Sequence, residues 1–405
     1  MRNKMIRVRN CIILKILLFS FIFSSCDRFY SEGETENQEV NRIEIDLSDS
    51  QDELYLSSVI ESFEYVPLET TSGSLMGNPW DIKSNDDYIV TFHNQNVSYV
   101  GIFKRDGDFI HKIEIPQRDG PGGLFYPSYF DVDFENREII VLGFRKLNRY
   151  NFEGEVLDEV VLDFSPSAVQ FEDDQYIFFM GNTNYQDLNE SNSNVIITDH
   201  SGNIENTYLP IQPSHAGLNF ITSSQFTTYD GEYYLNVFPG YDIYRVSSDE
   251  ATLHHQLDFG SRSIPDENYS ERSSEEIAGN QSFPFFERLN ESEYVGPVSG
   301  FFEFNNMIQF TLYTDRTDWY TVFLKKDTGD YLLSENWIND IDGTGTPFFR
   351  SANDEYLMTV TEPMNIIEGV ENLEIPESEL KSNLIEVSKN INENDNPVVI
   401  FAKVK

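Results

Sequence analysis

The sequence predicts an all-β chain: a six-bladed β-propeller with an N-terminal strand closing the last blade, preceded by a lipoprotein signal peptide and a short flexible tether. Three observations predict it. Short aromatic and β-branched runs alternate with Asp, Asn and Gly clusters. Those runs recur as a four-strand unit. A basic and then apolar leader ends at Ser24-Ser25-Cys26.

In chain order the leader comes first. Arg2, Lys4, Arg7 and Arg9 form a basic start, and the stretch from Cys11 to Phe23 is apolar apart from Lys15 and Ser20. It is too short and too abruptly ended for a transmembrane helix, so export and cleavage are expected. Ser24-Ser25-Cys26 resembles a bacterial lipobox, with Phe23 in place of the usual Leu. That resemblance implies lipidation of Cys26, and several acyl chains at roughly 0.8 kcal/mol per buried methylene give stable attachment. The only other cysteine, Cys11, leaves with residues 1–25, so no mature disulfide is expected.

Cleavage strips five basic residues and no acidic one, taking the net charge from −41 to −46. Phosphate-backbone binding needs the opposite sign, which excludes a nucleic-acid partner. Residues 26–42 read as the acylated cysteine and a polar tether with too little apolar surface to fold. The expected partner there is the outer membrane, reached through the acyl anchor, with the protein facing the periplasm or the cell surface as a monomer.

Residues 43–405 are expected to form the propeller. The first unit has strands near 79–82, 88–92, 99–103 and 109–113, with turns at Asn85-Asp86-Asp87 and Asp106-Gly107. The second places strands at 129–132, 138–142, 146–150 and 156–162, turning at Glu135-Asn136 and Glu153-Gly154; the third uses 168–171, 176–179, 195–198 and 204–209, turning at Asp173-Asp174 and Ser201-Gly202. Turn glycines at 107, 154 and 202 are spaced by 47 and 48 residues, close to the period of four-stranded blades. Looser copies follow at 226–246, 301–333 and from 348 to the C-terminus.

The sixth copy ends without an outermost strand, whereas 63–68 is a strand without a copy of its own. An open ring leaves exposed edges, so 63–68 is expected to close it. Insertions are expected near 261–297, with some helix, and near 362–396. In the latter, Leu380, Leu384 and Val387 are spaced by four and three, which predicts an amphipathic helix over 376–390 packed on one blade.

Gln117-Arg118-Asp119-Gly120-Pro121-Gly122-Gly123 is similar to the Gly-x-Gly-Pro-Gly-Glu loop of the six-bladed, NHL-like propeller lipoproteins of Bacteroidota. Asn394-Asp395-Asn396-Pro397 with the apolar run after it resembles that family's closing strand, and Tyr65-Val66-Pro67-Leu68-Glu69-Thr70 its N-terminal strand. Arg118 stands where the family tends to have a glycine, and Gly123 where it tends to have an acid. The resemblance implies the fold and an envelope location. It implies no activity.

The glycine-rich loop leads into a strand, not a helix, and lacks Lys-Ser/Thr, so it reads as an inter-blade turn. Six histidines, at 93, 111, 200, 215, 254 and 255, show no H-x-x-x-H or H-E-x-x-H spacing, and a zinc site of His and Cys is not expected. No metal or cofactor is assigned, although abundant Asp and Asn leave calcium open. No Gly-x-Ser-x-Gly or sialidase-type Asp turn occurs, which leans against an enzyme. Candidate ligand-binding residues are aromatic or charged positions of expected innermost strands and top loops: Trp80, Asp81, Arg118, Tyr126, Asp131, Arg145, Tyr185, Arg316, Trp319 and Arg350. They point to a lipid-anchored binding module that recognises a glycan or an envelope protein at the propeller mouth. The alternative is a calcium-dependent hydrolase of lactonase-like type.

Overall fold

A computed structural model of the chain describes residues 41–405 apart from 96, 173, 184–191, 221, 223, 274–275, 278–281, 315–317, 343 and 372–378. The leader, Cys26 and most of the tether lie outside the described residues. Among the described residues no helix is long and apolar enough to cross a membrane.

Six antiparallel sheets surround one axis, each a four-strand meander counted here from the axis outward. Blade 1 runs Asp81–Ser84, Tyr88–His93, Ser98–Lys104 and Phe109–Ile115; blade 2 runs Tyr129–Asp133, Glu138–Gly143, Lys146–Asn151 and Val156–Val161. Blade 3 is Ala168–Glu172, Gln175–Phe179, Ser193–Asp199 and Ile204–Pro210. Blade 4 is Phe226–Tyr229, Glu232–Asn236, Asp242–Val246 and Ala251–Asp258, and blade 5 is Val298–Glu303, Met307–Tyr313, Trp319–Lys325 and Tyr331–Ser334. Blade 6 takes Ser351–Ala352, Tyr356–Thr361 and Val398–Val404 from the C-terminal part of the chain. Its outermost strand is Ile60–Pro67, antiparallel to Val398–Val404 from the Val398–Pro67 pair to the Val404–Ile60 pair. The expected closure is present, and the innermost strands of blades 6 and 1 touch.

The core lies between blades, because each sheet buries both faces against its neighbours. Five buried clusters straddle adjacent blades. One joins Val90 and Ile102 of blade 1 to Phe130 and Val141 of blade 2; another joins Ile82 and Phe103 of blade 1 to Met358 and Phe401 of blade 6. The turn glycines that phase the repeat serve this packing. Gly107 has φ +94°, and a Cβ there would lie 2.2 Å from the Pro67 carbonyl oxygen of blade 6, so only glycine fits. Gly154 and Gly202 likewise abut the outermost strands of blades 1 and 2.

The N-terminal segment does more than the sequence suggests. Asn41–Glu44 adds a fifth, parallel strand to blade 4, beginning two residues before the expected boundary of the tether. The Gln51 N–H donates to the Leu333 carbonyl of blade 5, and Leu54–Tyr55 pairs in parallel with Trp337–Ile338. Residues 41–67 thus run as a belt along blades 4, 5 and 6. Blade 6 also differs from expectation: its innermost strand is Ser351–Ala352, and Phe348 is half-exposed ahead of it.

Both insertions carry helices. Asp266–Ser270 and Phe283–Asn290 fall within 261–297, and Phe285 and Leu289 bury against Leu218 and Phe238. Pro363–Glu371 and Glu379–Asn390 fall within 362–396; Leu384 of the second helix is buried with Ile366 and Val398, and Tyr65 and Val387 pack on that group. The helix at 376–390 was expected; the one preceding it was not.

Candidate functional site

The innermost strands line a cavity of about 630 Å³ on the propeller axis. Along these strands alternate side chains face the axis, and Lys83, Asp131 and Gln170 occupy the third position of the first strand in blades 1, 2 and 3. The cavity reaches the turns between first and second strands, where Asp86 and Asp87 of blade 1 and Asp354 and Glu355 of blade 6 form an exposed acidic rim. One local motif shapes both turns. The Asn85 Oδ1 accepts from the N–H groups of Asp87 and Tyr88 at 3.0 and 2.9 Å, and Asn353 Oδ1 accepts from those of Glu355 and Tyr356 at 3.1 and 2.9 Å. Each Asn side chain satisfies the turn, and the acids beside it stay exposed, with Asp354 Oδ1 also accepting from the Asp230 N–H at 3.1 Å.

Deeper in, the charges are paired. Lys83 Nζ donates to Asp131 Oδ1 at 2.7 Å, a largely buried bridge between blades 1 and 2. Burial opposes the Lys83 ammonium, but Asp131, Tyr129 and Asp81 outweigh it and hold its pKa well above the ordinary lysine value. Burial pushes the Asp81 carboxyl up to about 7, while Lys83, the Ile82 N–H at 2.8 Å and Arg350 pull it the other way. Gln170 is 2% exposed and its Nε2 has no hydrogen-bond partner, which leaves a donor available in the cavity wall.

Of the sequence candidates, Asp81 and Asp131 meet on the axis; Arg350 does not line this cavity, although its charge acts on Asp81, and its Nη1 donates to the Pro79 carbonyl at 3.1 Å. Trp80 directly precedes the blade 1 strand, is 43% exposed, and does not line the cavity. Arg118 and Tyr126 lie in the blade 1 to blade 2 connection, where the Arg118 Nη2 donates to the Pro121 carbonyl at 3.4 Å. Arg145 sits in the turn between the second and third strands of blade 2, and its guanidinium donates to the carbonyls of Leu162 and Asp163. Trp319 opens the third strand of blade 5, not an innermost one, and is half-exposed. Tyr185 and Arg316 lie outside the described residues.

Lys83, Gln170 and the rim acids were missed. Their signal was present in the sequence: a polar residue at the third position of the first strand in blades 1, 2 and 3, and the Asn-Asp-Asp/Glu-Tyr turn shared by blades 1 and 6. A separate aromatic group, Phe125, Tyr126 and Phe144, is exposed and does not line the cavity, with ring centroids 4.2 and 6.4 Å apart. His254, His255 and Glu303 form another polar cluster, in the seam between blades 4 and 5.

The chain belongs to the family described as Domain of unknown function (DUF4934), whose model matches residues 40–403. No curated protein matches it in sequence. Among solved structures, a protein of Bacteroides fragilis described as exported is similar over 90% of this chain and 99% of its own, with TM-score 0.70 and 18% identity. Virginiamycin B lyase from Staphylococcus aureus aligns with TM-score 0.36 and 12% identity over 72% of this chain and 77% of its own. BamB from Moraxella catarrhalis aligns with 0.37 and 11% over 68% and 69%. The first likeness supports the shared fold, and the other two are too distant to bear on function.

Proposed function

We propose that this member of the DUF4934 family is an exported, lipid-anchored binding module of the cell envelope that takes a basic segment of an envelope protein at the acidic mouth of its central cavity. Fold alone does not select a function. The observation that carries the reading is the cavity itself, polar-walled and open, with Asp86, Asp87, Asp354 and Glu355 at its rim and the unpartnered Gln170 Nε2 in its wall. An acidic rim draws cationic groups and disfavours anionic ones. What weighs against the calcium-dependent hydrolase is the Lys83 ammonium. It sits on Asp131 and acts on Asp81, where a metal would need free oxygens. The glycan reading draws its support from Phe125, Tyr126 and Phe144, since sugars stack on exposed rings.

Binding is tested with a fluorescent Lys/Arg-rich peptide beside an acidic control of equal length. The basic peptide is expected to bind, to weaken as salt rises, and to lose at least tenfold in affinity in an Asp86→Asn/Glu355→Gln variant of unchanged melting temperature. Equal binding of the two peptides, or no loss in the variant, would refute the reading. An oligosaccharide-induced thermal shift that disappears in Tyr126→Ala would favour the glycan instead.

The anchor is motivated by the leader and by the exported relative. Mass spectrometry of the mature protein should find an acylated N-terminal Cys26, and Cys26→Ala should release the protein from the membrane fraction. A mature chain beginning elsewhere without acylation would rule out the anchor.

A further inference from the structure

Away from the axis, the fourth strand of blade 4, Ala251–Asp258, carries His254 and His255. Consecutive residues of an unbroken strand point to opposite faces. Here the register against Asp242–Val246 slips, with Ile243 paired to His255 and Tyr244 to Leu253, so His254 is the extra residue of a β-bulge. Both rings therefore turn toward the same neighbour, with centroids 4.0 Å apart.

That neighbour is Glu303, the last residue of blade 5's innermost strand. Its Oε2 lies 2.9 Å from His254 Nε2 and 3.5 Å from His255 Nε2, and the ligand atoms of the three residues fall within 4.8 Å of one another. The other oxygen, Oε1, holds Lys326 Nζ at 2.6 Å, and the same ammonium donates to the Phe304 carbonyl at 3.0 Å. Lys326 thus fixes the carboxylate and leaves Oε2 turned to the imidazoles. His255 is 3% exposed, packs beside the Phe301 ring, and neither of its ring nitrogens has a hydrogen-bond partner. The polar neighbour of His255 Nε2 is the Glu303 carboxylate at 3.5 Å, longer than an ordinary hydrogen bond, so a buried imidazole so placed is favoured by a further ligand at that nitrogen.

We propose that His254, His255 and Glu303 bind a divalent transition-metal ion of the zinc class, which joins blade 4 to blade 5 and keeps one coordination position open to solvent beside the partly exposed His254. Two imidazoles and one carboxylate are donors that suit such an ion, whereas calcium prefers oxygen alone. Bonds of about 2.0–2.2 Å in a tetrahedral site place ligand atoms roughly 3.4 Å apart, close to the two spacings at Glu303. Lys326 is a positioning residue that orients the ligating carboxylate.

The test treats the chain with chelator, dialyses it and titrates it with Co2+, whose visible absorption reports four-coordinate nitrogen and oxygen ligation. One equivalent is expected to bind and to be displaced by Zn2+, and saturating Zn2+ should raise the melting temperature. His254→Ala and His255→Ala should each weaken Co2+ at least tenfold. Glu303→Gln strands Lys326 and risks unfolding, so the partly exposed His254→Ala, checked for a native circular dichroism spectrum, is the deciding variant. No Co2+ absorption, or unchanged affinity in folded His254→Ala, overturns the proposal.

Discussion

Deletion of residues 41–70 is expected to abolish the cooperative unfolding transition and yield aggregating material. Ten apolar side chains between Ile43 and Leu68 are buried, Ile60, Phe63 and Val66 of the closing strand among them. Each contributes about 1.5–3 kcal/mol, and their sum reaches or exceeds the ~5–15 kcal/mol net stability of an ordinary domain. Geometry adds to the loss. Val398–Val404 would lose its partner strand, Ala251–Asp258 would lose its parallel neighbour, and two free edges invite pairing between molecules. Light scattering with thermal unfolding checks the outcome: a truncated chain that keeps the parent's size in solution and melts at the original temperature would show the belt to be dispensable.

The contrast between that belt and the rest of the ring shows what the sequence made legible. Blades 1 to 3 were readable because their outer hairpins turn at glycines that must have positive φ and must also let the preceding blade approach; local and tertiary demands fall on one residue. The closing strand was readable by subtraction, as a strand without a blade. The parallel additions at Asn41–Glu44 and Leu54–Tyr55 were not, because a strand of two to four residues has too little periodicity to register, and its partner is far away in sequence. At the site, Asp81 and Asp131 were found as charges in first strands. Lys83 and Gln170 were passed over because a polar residue in a strand ordinarily marks its solvent face, and only closure of the ring makes that face a cavity wall. Trp319 and Arg145 failed for the converse reason: an exposed aromatic or charge looks the same in an inner strand as in an outer one. His254 and His255 became partners only through a register slip, which depends on the neighbouring strand.

The second large effect concerns Asp81 and pH. Its pKa in the fold is raised to about 7 by burial, against about 3.9 in an unfolded chain. Between those values the folded state keeps a proton there that the unfolded state has lost, so stability falls as pH rises through the window, and the penalty is complete above it. Three units correspond to about 4 kcal/mol as an upper figure. Asp81→Asn keeps an acceptor for the Ile82 N–H and leaves the Lys83–Asp131 bridge in place. The variant is therefore expected to be more stable than the parent at pH 8 by up to that amount, with the difference shrinking toward zero near pH 4. Urea unfolding at pH 4.5, 6 and 8 measures this, and an Asn variant less stable at pH 8, or equally shifted at all three values, would contradict it. A carboxylate that weakens the fold at neutral pH, on the axis of an acid-rimmed cavity, is also the group that a cationic ligand would stabilise. Binding of the basic peptide should therefore release a proton from the parent near pH 7, and Asp81→Asn should remove that release even where some affinity persists.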